Sequence, residues 1–431
     1  MKTTKPKSGS RRAPRPVRVP PPLTRGDEKF EGSSVLSEFE GEFGILLWQS
    51  LRNVLLWAAT DPARRKGLFS AGAEERRRVK LLSADMDDAL RGPLAVIARL
   101  LADPAGADRR RVAAACQRIG EWAEKNDKTA TSLAYIQAAA LTAASDARLS
   151  YSVGRIARER AEYPRAETWF RRAILLGRQS GDWESYALAF GGLGNLYLQR
   201  GNLPAAHKSF LRAYRAAKRK GLRNVQGMAL HDLFVVAVKR QQVRDAEELA
   251  ASALRAYGPN HALLPVLAHD VAVFWMDQGI FAPALTVLTA LQTHFPRAGM
   301  HARVLAHIAK AAAGIDDRKR FEEAWSAAAS LAGGAGPVEK VAWVYLALAE
   351  AAAMMQEWDR TIDAAKRAIL LADAREETQV KDQAEAWLVQ ANEEQSARTA
   401  VKSDMDPWVQ DHADSLAVNF ARSLESKVAA R

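Results

Sequence analysis

A thirty-residue stretch of this chain recurs forty positions later without a gap. VGRIARERAEYPRAETWFRRAILLGRQSGD (153–182) aligns with LGNLYLQRGNLPAAHKSFLRAYRAAKRKGL (193–222), pairing Gly154 with Gly194, Ala166 with Ala206, Phe170 with Phe210 and Ala173 with Ala213. A further step of forty lands on Phe234, Ala246, Ala250 and Ala253, so three consecutive units share one period. Fixed-period self-similarity on this scale constrains the fold more than any other feature, because each unit is one supersecondary element that cannot bury its apolar face alone. Within each unit the apolar spacing is helical, and a short break divides it into two antiparallel helices. Small residues on the first helix and at the start of the second let the backbones approach, while a bulky residue packs on the next unit.

Weaker units continue the scheme at Ala272, Ala284, Leu288 and Leu291, at Ala309, Phe321, Trp325 and Ala328, and at Ala349, Thr361, Ala365 and Ala368. A looser one precedes them at Ile119, Trp122, Thr131, Tyr135 and Ala138, giving about seven pairs over 108–395. The motif Leu193-Gly194, Tyr197, Ala206, Phe210 and Ala213 resembles the tetratricopeptide repeat, L-G-x-x-Y followed by A-x-x-x-F-x-x-A. The period near forty is similar to that of the long-repeat subgroup of signalling and spindle-orientation adaptors. The resemblance implies an all-α, right-handed superhelical solenoid of antiparallel helix pairs that binds partners in a concave groove without catalysis.

The remaining segments set the boundaries. Residues 1–30 read as a basic, proline-rich disordered tail, since 1–26 hold six prolines and eight Lys or Arg with no acid. Residues 31–104 read as an N-terminal helical segment, in which GILLWQSLRNVLLWAA (44–59) is expected to pack on the rest of the chain and to end at Asp61-Pro62. The repeats occupy 105–395. A linker and a C-terminal helix fill 396–431, with Asp406 as N-cap and Pro407 at the first helical position.

Several functions are disfavoured by what the sequence lacks. It contains no P-loop, dinucleotide-binding, nucleophile-elbow or zinc-protease motif, and Gly333-Gly334-Ala335-Gly336-Pro337 reads as a linker between repeats. No cofactor is expected, and a metal site at His231-Asp232 or His269-Asp270 is disfavoured because the repeat itself accounts for their recurrence. One cysteine, Cys116, and the absence of a long apolar run or signal peptide point to a cytoplasmic protein. The excess of Arg over Lys, 43 to 19, suggests a bacterial genome rich in G and C.

Two surfaces emerge as candidates for binding. The resemblance implies a groove for a peptide or partner domain, lined by Tyr151, Arg155, Arg158, Asn195 and Gln199, then by His231, Val235, His269 and Val273. The long-repeat adaptors carry an Asn at the second of these places in each unit, and here only Asn195 matches. Gly191 stands where the chaperone-tail clamp requires Lys. The second surface follows from charge. The formal net charge of +12 is concentrated in the tail and in 147–231, which carries sixteen Lys or Arg against five acids. Lys208, Arg212, Arg215 and Arg219 recur at helical spacing, and the forty-residue offset adds Arg172 opposite Arg212 and Arg178 opposite Lys218. This stripe, with the tail, suits a nucleic acid or an acidic protein as an alternative partner.

Overall fold

The computed structural model describes residues 32–295, 298–334, 341–374, 377–393 and 407–429. The basic tail, the glycine-rich linker beyond Gly334 and the expected N-cap Asp406 lie outside them. The described residues form α-helices and one short 3₁₀ turn, with no strand among them. Four helices come first: α1 (Ser34–Glu38), α2 (Gly41–Ala59), α3 (Ala73–Ser83) and α4 (Asp88–Leu100). Seven pairs follow, α5 (Arg109–Lys125) with α6 (Thr129–Thr142), α7 (Ala147–Glu159) with α8 (Tyr163–Ser180), and α9 (Trp183–Gln199) with α10 (Leu203–Lys220). The next are α11 (Arg223–Lys239) with α12 (Val243–Tyr257), α13 (Leu264–Asp277) with α14 (Phe281–Leu291), α15 (Ala298–Gly314) with α16 (Arg318–Gly334), and α17 (Val341–Met354) with α18 (Trp358–Asp373). Two further helices, α19 (Thr378–Asn392) and α20 (Pro407–Ala429), complete the described chain. The chain divides into two compact units between Val225 and Gln226.

The break inside each pair is the same backbone device seven times. Its centre is a left-handed residue at Asp127, Ala161, Gly201, Gln241, Gly279, Asp316 and Gln356, with φ between 57° and 78°. After each, an N–H returns to the carbonyl five residues earlier, as in Glu162 N to Ala157 O at 2.8 Å and Asn202 N to Tyr197 O at 2.8 Å. This reverse bond satisfies a carbonyl that the helix end leaves without a partner. Only two of the seven are glycine, so the other five adopt a conformation that costs an L-residue on the order of 1 kcal/mol. The turn is therefore imposed by the packing of the two helices rather than by local preference.

Glycine has a different task inside the first helices. A Cβ on Gly194 would stand 2.4 Å from the Phe210 ring, and one on Gly154 would stand 2.7 Å from Phe170. Both rings are fully buried. Burying a phenylalanine side chain contributes roughly 1.5–3 kcal/mol, and the missing methyl groups let each ring enter.

The first unit begins with helices that cover the first repeat pair. Leu46, Leu47, Leu51, Val54 and Trp57 of α2 are buried, so this helix packs on the rest of the unit as its pattern predicts. Tyr135 of α6 donates to Leu47 O at 2.7 Å, and Trp57 Nε1 donates to Pro104 O at 2.6 Å. The Glu38 carboxylate accepts from Ala130 N and Thr131 N, capping the start of α6. In the second unit, α19 packs on α17 and α18. Helix α20 lies against α12, α13 and α14, where His294 Nε2 meets Leu424 O at 3.1 Å. The last helix thus docks on the flank of earlier repeats instead of following α19.

Candidate functional site

On the first unit, the expected groove residues sit along α7 and α9. Tyr151, Arg155, Arg158 and Asn195 are half-buried and Gln199 is exposed. The cations here are already matched. Arg155 pairs with Glu124 at 2.7 Å and with Glu159 at 3.1 Å, and Arg158 reaches Glu159 at 3.6 Å. Burial alone would lower the Arg155 pKa, but the two carboxylates outweigh it and hold the guanidinium above its usual range. This surface is therefore a balanced ion-pair patch and not a cationic one. Asn195 is different, for its amide makes no hydrogen bond among the described residues.

On the second unit, Val235 and Val273 are half-buried on α11 and α13. The two histidines are absorbed into a hydrogen-bonded chain. His231 Nε2 lies 3.1 Å from Asp270 Oδ2, and His269 Nδ1 lies 3.4 Å from Asp270 Oδ1. His269 Nε2 then meets His307 Nδ1 at 3.0 Å, while the Tyr257 hydroxyl approaches His231 Nδ1 at 3.4 Å. One tautomer assignment satisfies the whole chain: His231 and His269 donate to Asp270, His307 donates to His269, and Tyr257 donates to His231. His269 is 2% exposed and has no free ring nitrogen, so it supports the surface and does not present itself there.

Electrostatics follow from this arrangement. Burial lowers the pKa of both His269 and His307, keeping them neutral. Burial pushes Asp270 the other way, but hydrogen bonds from His231 and His269 prevail and hold it well below the carboxylate range. Nearby, the fully buried Glu247 accepts from Trp275 Nε1 at 2.9 Å, and burial pushes its carboxyl up to about 7. Among the described residues, no cluster of three His, Cys, Asp or Glu side chains is arranged to hold a metal ion.

Sequence spacing held a clue to this network. His231, His269 and His307 are separated by 38 residues each. Counting repeat by repeat selects Ala306 instead, because the step from Ala272 to Ala309 is 37, and so misses His307. The chain order also suggests His231-Asp232 as a pair, whereas His231 reaches across to Asp270 on the next first helix.

The basic stripe is corrected at one position. Arg172 is 3% exposed and donates to the Ala144 carbonyl, with its guanidinium over the Trp169 ring, so it lies under the surface. Arg178, Lys208, Arg212, Arg215, Lys218 and Arg219 are exposed. Several cover rings, with Arg212 over Phe190 at 5.5 Å, Lys218 over Tyr214 at 5.6 Å and Arg219 over Trp183 at 5.8 Å. The rings that would stack on bases are thus already occupied by cations.

Repeated antiparallel pairs closed by one turn type define a helical-repeat protein. Residues 145–219 match the tetratricopeptide repeat family. Among solved structures, a signal transduction ATPase with numerous domains and a tetratricopeptide repeat sensor, from Pyrococcus horikoshii, aligns with TM-score 0.52 and 10% identity, covering 92% of this chain and 67% of that one. The pilF protein of Pseudomonas aeruginosa aligns with TM-score 0.42 and 16% identity over 53% of this chain and 95% of that one. BtubC from P. vanneervenii gives 0.40 and 13% over 53% and 94%. No curated protein matches the chain in sequence. The first of these likenesses, the one with a TM-score above 0.5, shows the fold. No described helix is long and apolar enough to cross a membrane.

Proposed function

We propose that this chain is a non-enzymatic adaptor that binds an extended peptide or a partner domain on the first-helix surface of its tetratricopeptide repeats. Such repeats generally serve as protein-interaction scaffolds, and the reading rests on one observation. Asn195, one residue beyond the glycine that admits Phe210, is half-buried on α9 with its amide unspent. An amide free of intramolecular hydrogen bonds is available to bond the backbone of a bound segment. Gln199 lies one turn further along the same helix, and Tyr151 and the Arg155 ion pairs flank it on α7. The partner segment this surface suits is uncharged or of mixed charge, because Glu124 and Glu159 already neutralise the arginines. A lone, fully buried Cys116, whose thiol burial raises to about 12, suits a reducing cytoplasm.

The test is affinity capture from native lysate with and without nuclease, comparing wild type with Asn195→Ala/Gln199→Ala. The expected outcome is a nuclease-resistant protein retained by wild type and reduced at least about tenfold by the variant, at unchanged helicity. Equal retention by both proteins would move the binding surface elsewhere, and a nuclease-sensitive set would transfer function to the basic stripe.

A further inference from the structure

A second concave feature lies outside the repeats, between α2 and α3 of the first unit. It is a cleft of about 750 Å³, within the range of small-molecule sites. Its lining combines the apolar Leu55, Leu56 and Phe69 with the cationic Arg52, Arg76, Arg77 and Lys80. None of the residues lining it is acidic.

The cations of this cleft differ from those on the first helices of the repeats. Arg155, Arg158 and Lys310 all have carboxylate partners. Arg52, Arg76, Arg77 and Lys80 have none among the described residues, while their neighbour Glu75 is turned to Arg78 at 2.8 Å. Arg77 is held in place through Nη1, which donates to Leu46 O at 3.1 Å and Ser50 Oγ at 3.0 Å. A half-buried guanidinium fixed by neutral acceptors and lacking a counter-charge is costly unless something anionic joins it.

We propose that this cleft binds one molecule of a soluble anionic amphiphile, a phosphate or carboxylate head on an aliphatic body. The head lies among Arg52, Arg77 and Lys80, where it completes the charge balance. The body lies on Leu55, Leu56 and Phe69. Head and body are joined, since apolar and cationic residues line the same cleft.

The test is isothermal titration of the full chain with dodecyl phosphate below its micelle concentration, with inorganic phosphate and dodecanol in separate runs. The expected result is saturable one-to-one binding of dodecyl phosphate, at least about tenfold tighter than either fragment and weaker in high salt. Arg52→Glu/Lys80→Glu, both at exposed positions, should weaken it at least about tenfold at unchanged helicity, whereas Arg212→Glu/Arg215→Glu should leave it intact. Undiminished binding by Arg52→Glu/Lys80→Glu overturns the proposal. So does non-saturating uptake, cosedimentation with phosphatidylglycerol vesicles without binding of the monomer, or one-to-one binding of an acidic peptide in its place.

Discussion

The pair α9/α10 and the pair α11/α12 share one backbone plan but fill it in opposite ways. In the first, Gly194 on the leading helix admits Phe210 from the second. In the second, the corresponding positions hold Phe234 and Ala250, both fully buried, so the large residue has changed sides. The inner surfaces differ as well. Beside α9, Arg155 on α7 is matched by glutamates, whereas α11 and α13 carry imidazoles joined through Asp270. The repeat fixes where side chains meet and roughly how much volume they share, and it leaves their chemistry free.

The most direct way to break that comparison is Gly194→Phe. With a ring already 2.4 Å from the nearest possible Cβ, two phenylalanines cannot occupy the site, and the substitution should cost about 3 kcal/mol or more. Adding Phe210→Ala recreates the arrangement of Phe234 and Ala250 and should recover at least about half of the loss in urea unfolding. If the double variant is no more stable than the single one, the two pairs do not exchange volume at a shared site.

Much of this was legible in the residues. Gly194, Ala206 and Phe210 mark a unit because helix packing needs small and large residues at fixed places, and the left-handed turns fall at the same steps as the repeats. The N-terminal helix was legible for the same reason, since Leu46, Leu47, Leu51 and Val54 lie along one stripe. The groove chemistry was not. Arg155 looks cationic in isolation, and its neutralising partner Glu124 lies on another helix pair, a contact that spacing alone does not encode. Arg172 aligns with the exposed Arg212 yet is buried, because Ala144 O and the Trp169 ring receive it. The docking of α20 on α12, α13 and α14 depends on a long-range fit that its own pattern leaves open.

The comparison sharpens in its pH dependence, which should belong to the second unit. Glu247 has a folded pKa of about 7, above the unfolded value near 4.3, so the folded state holds a proton that the unfolded state has lost between those limits. Its contribution is therefore present in acid and fades as pH rises toward 7. His269 and His307 act in the opposite sense. Their folded pKa values lie below the unfolded value near 6.5, so their stabilisation is complete above it and is lost as pH falls. Glu247→Gln keeps an acceptor for Trp275 without a charge. Its midpoint of thermal unfolding should exceed that of wild type by several °C at pH 8, with the gap closing near pH 4.5. In that background the remaining histidine contribution should appear as a midpoint that declines below about pH 6.5. A gap independent of pH would mean that Glu247 is not protonated in the fold.

The smallest effect is expected where charge is most abundant. Arg212 and Arg215 stand exposed on α10, and Arg212 covers Phe190 without any carboxylate partner among the described residues. Cation and ring interactions of this kind at exposed sites are worth under about 1 kcal/mol and are screened further by salt. Arg212→Glu/Arg215→Glu should thus move the unfolding midpoint by about 2 °C or less, and by less still at high salt. Set beside Gly194→Phe on the neighbouring helix, that result would show the fold of these repeats resting on the packed face of α10, leaving its basic face free to vary. A large loss would instead assign the stripe a structural part, with Phe190 depending on the arginine above it.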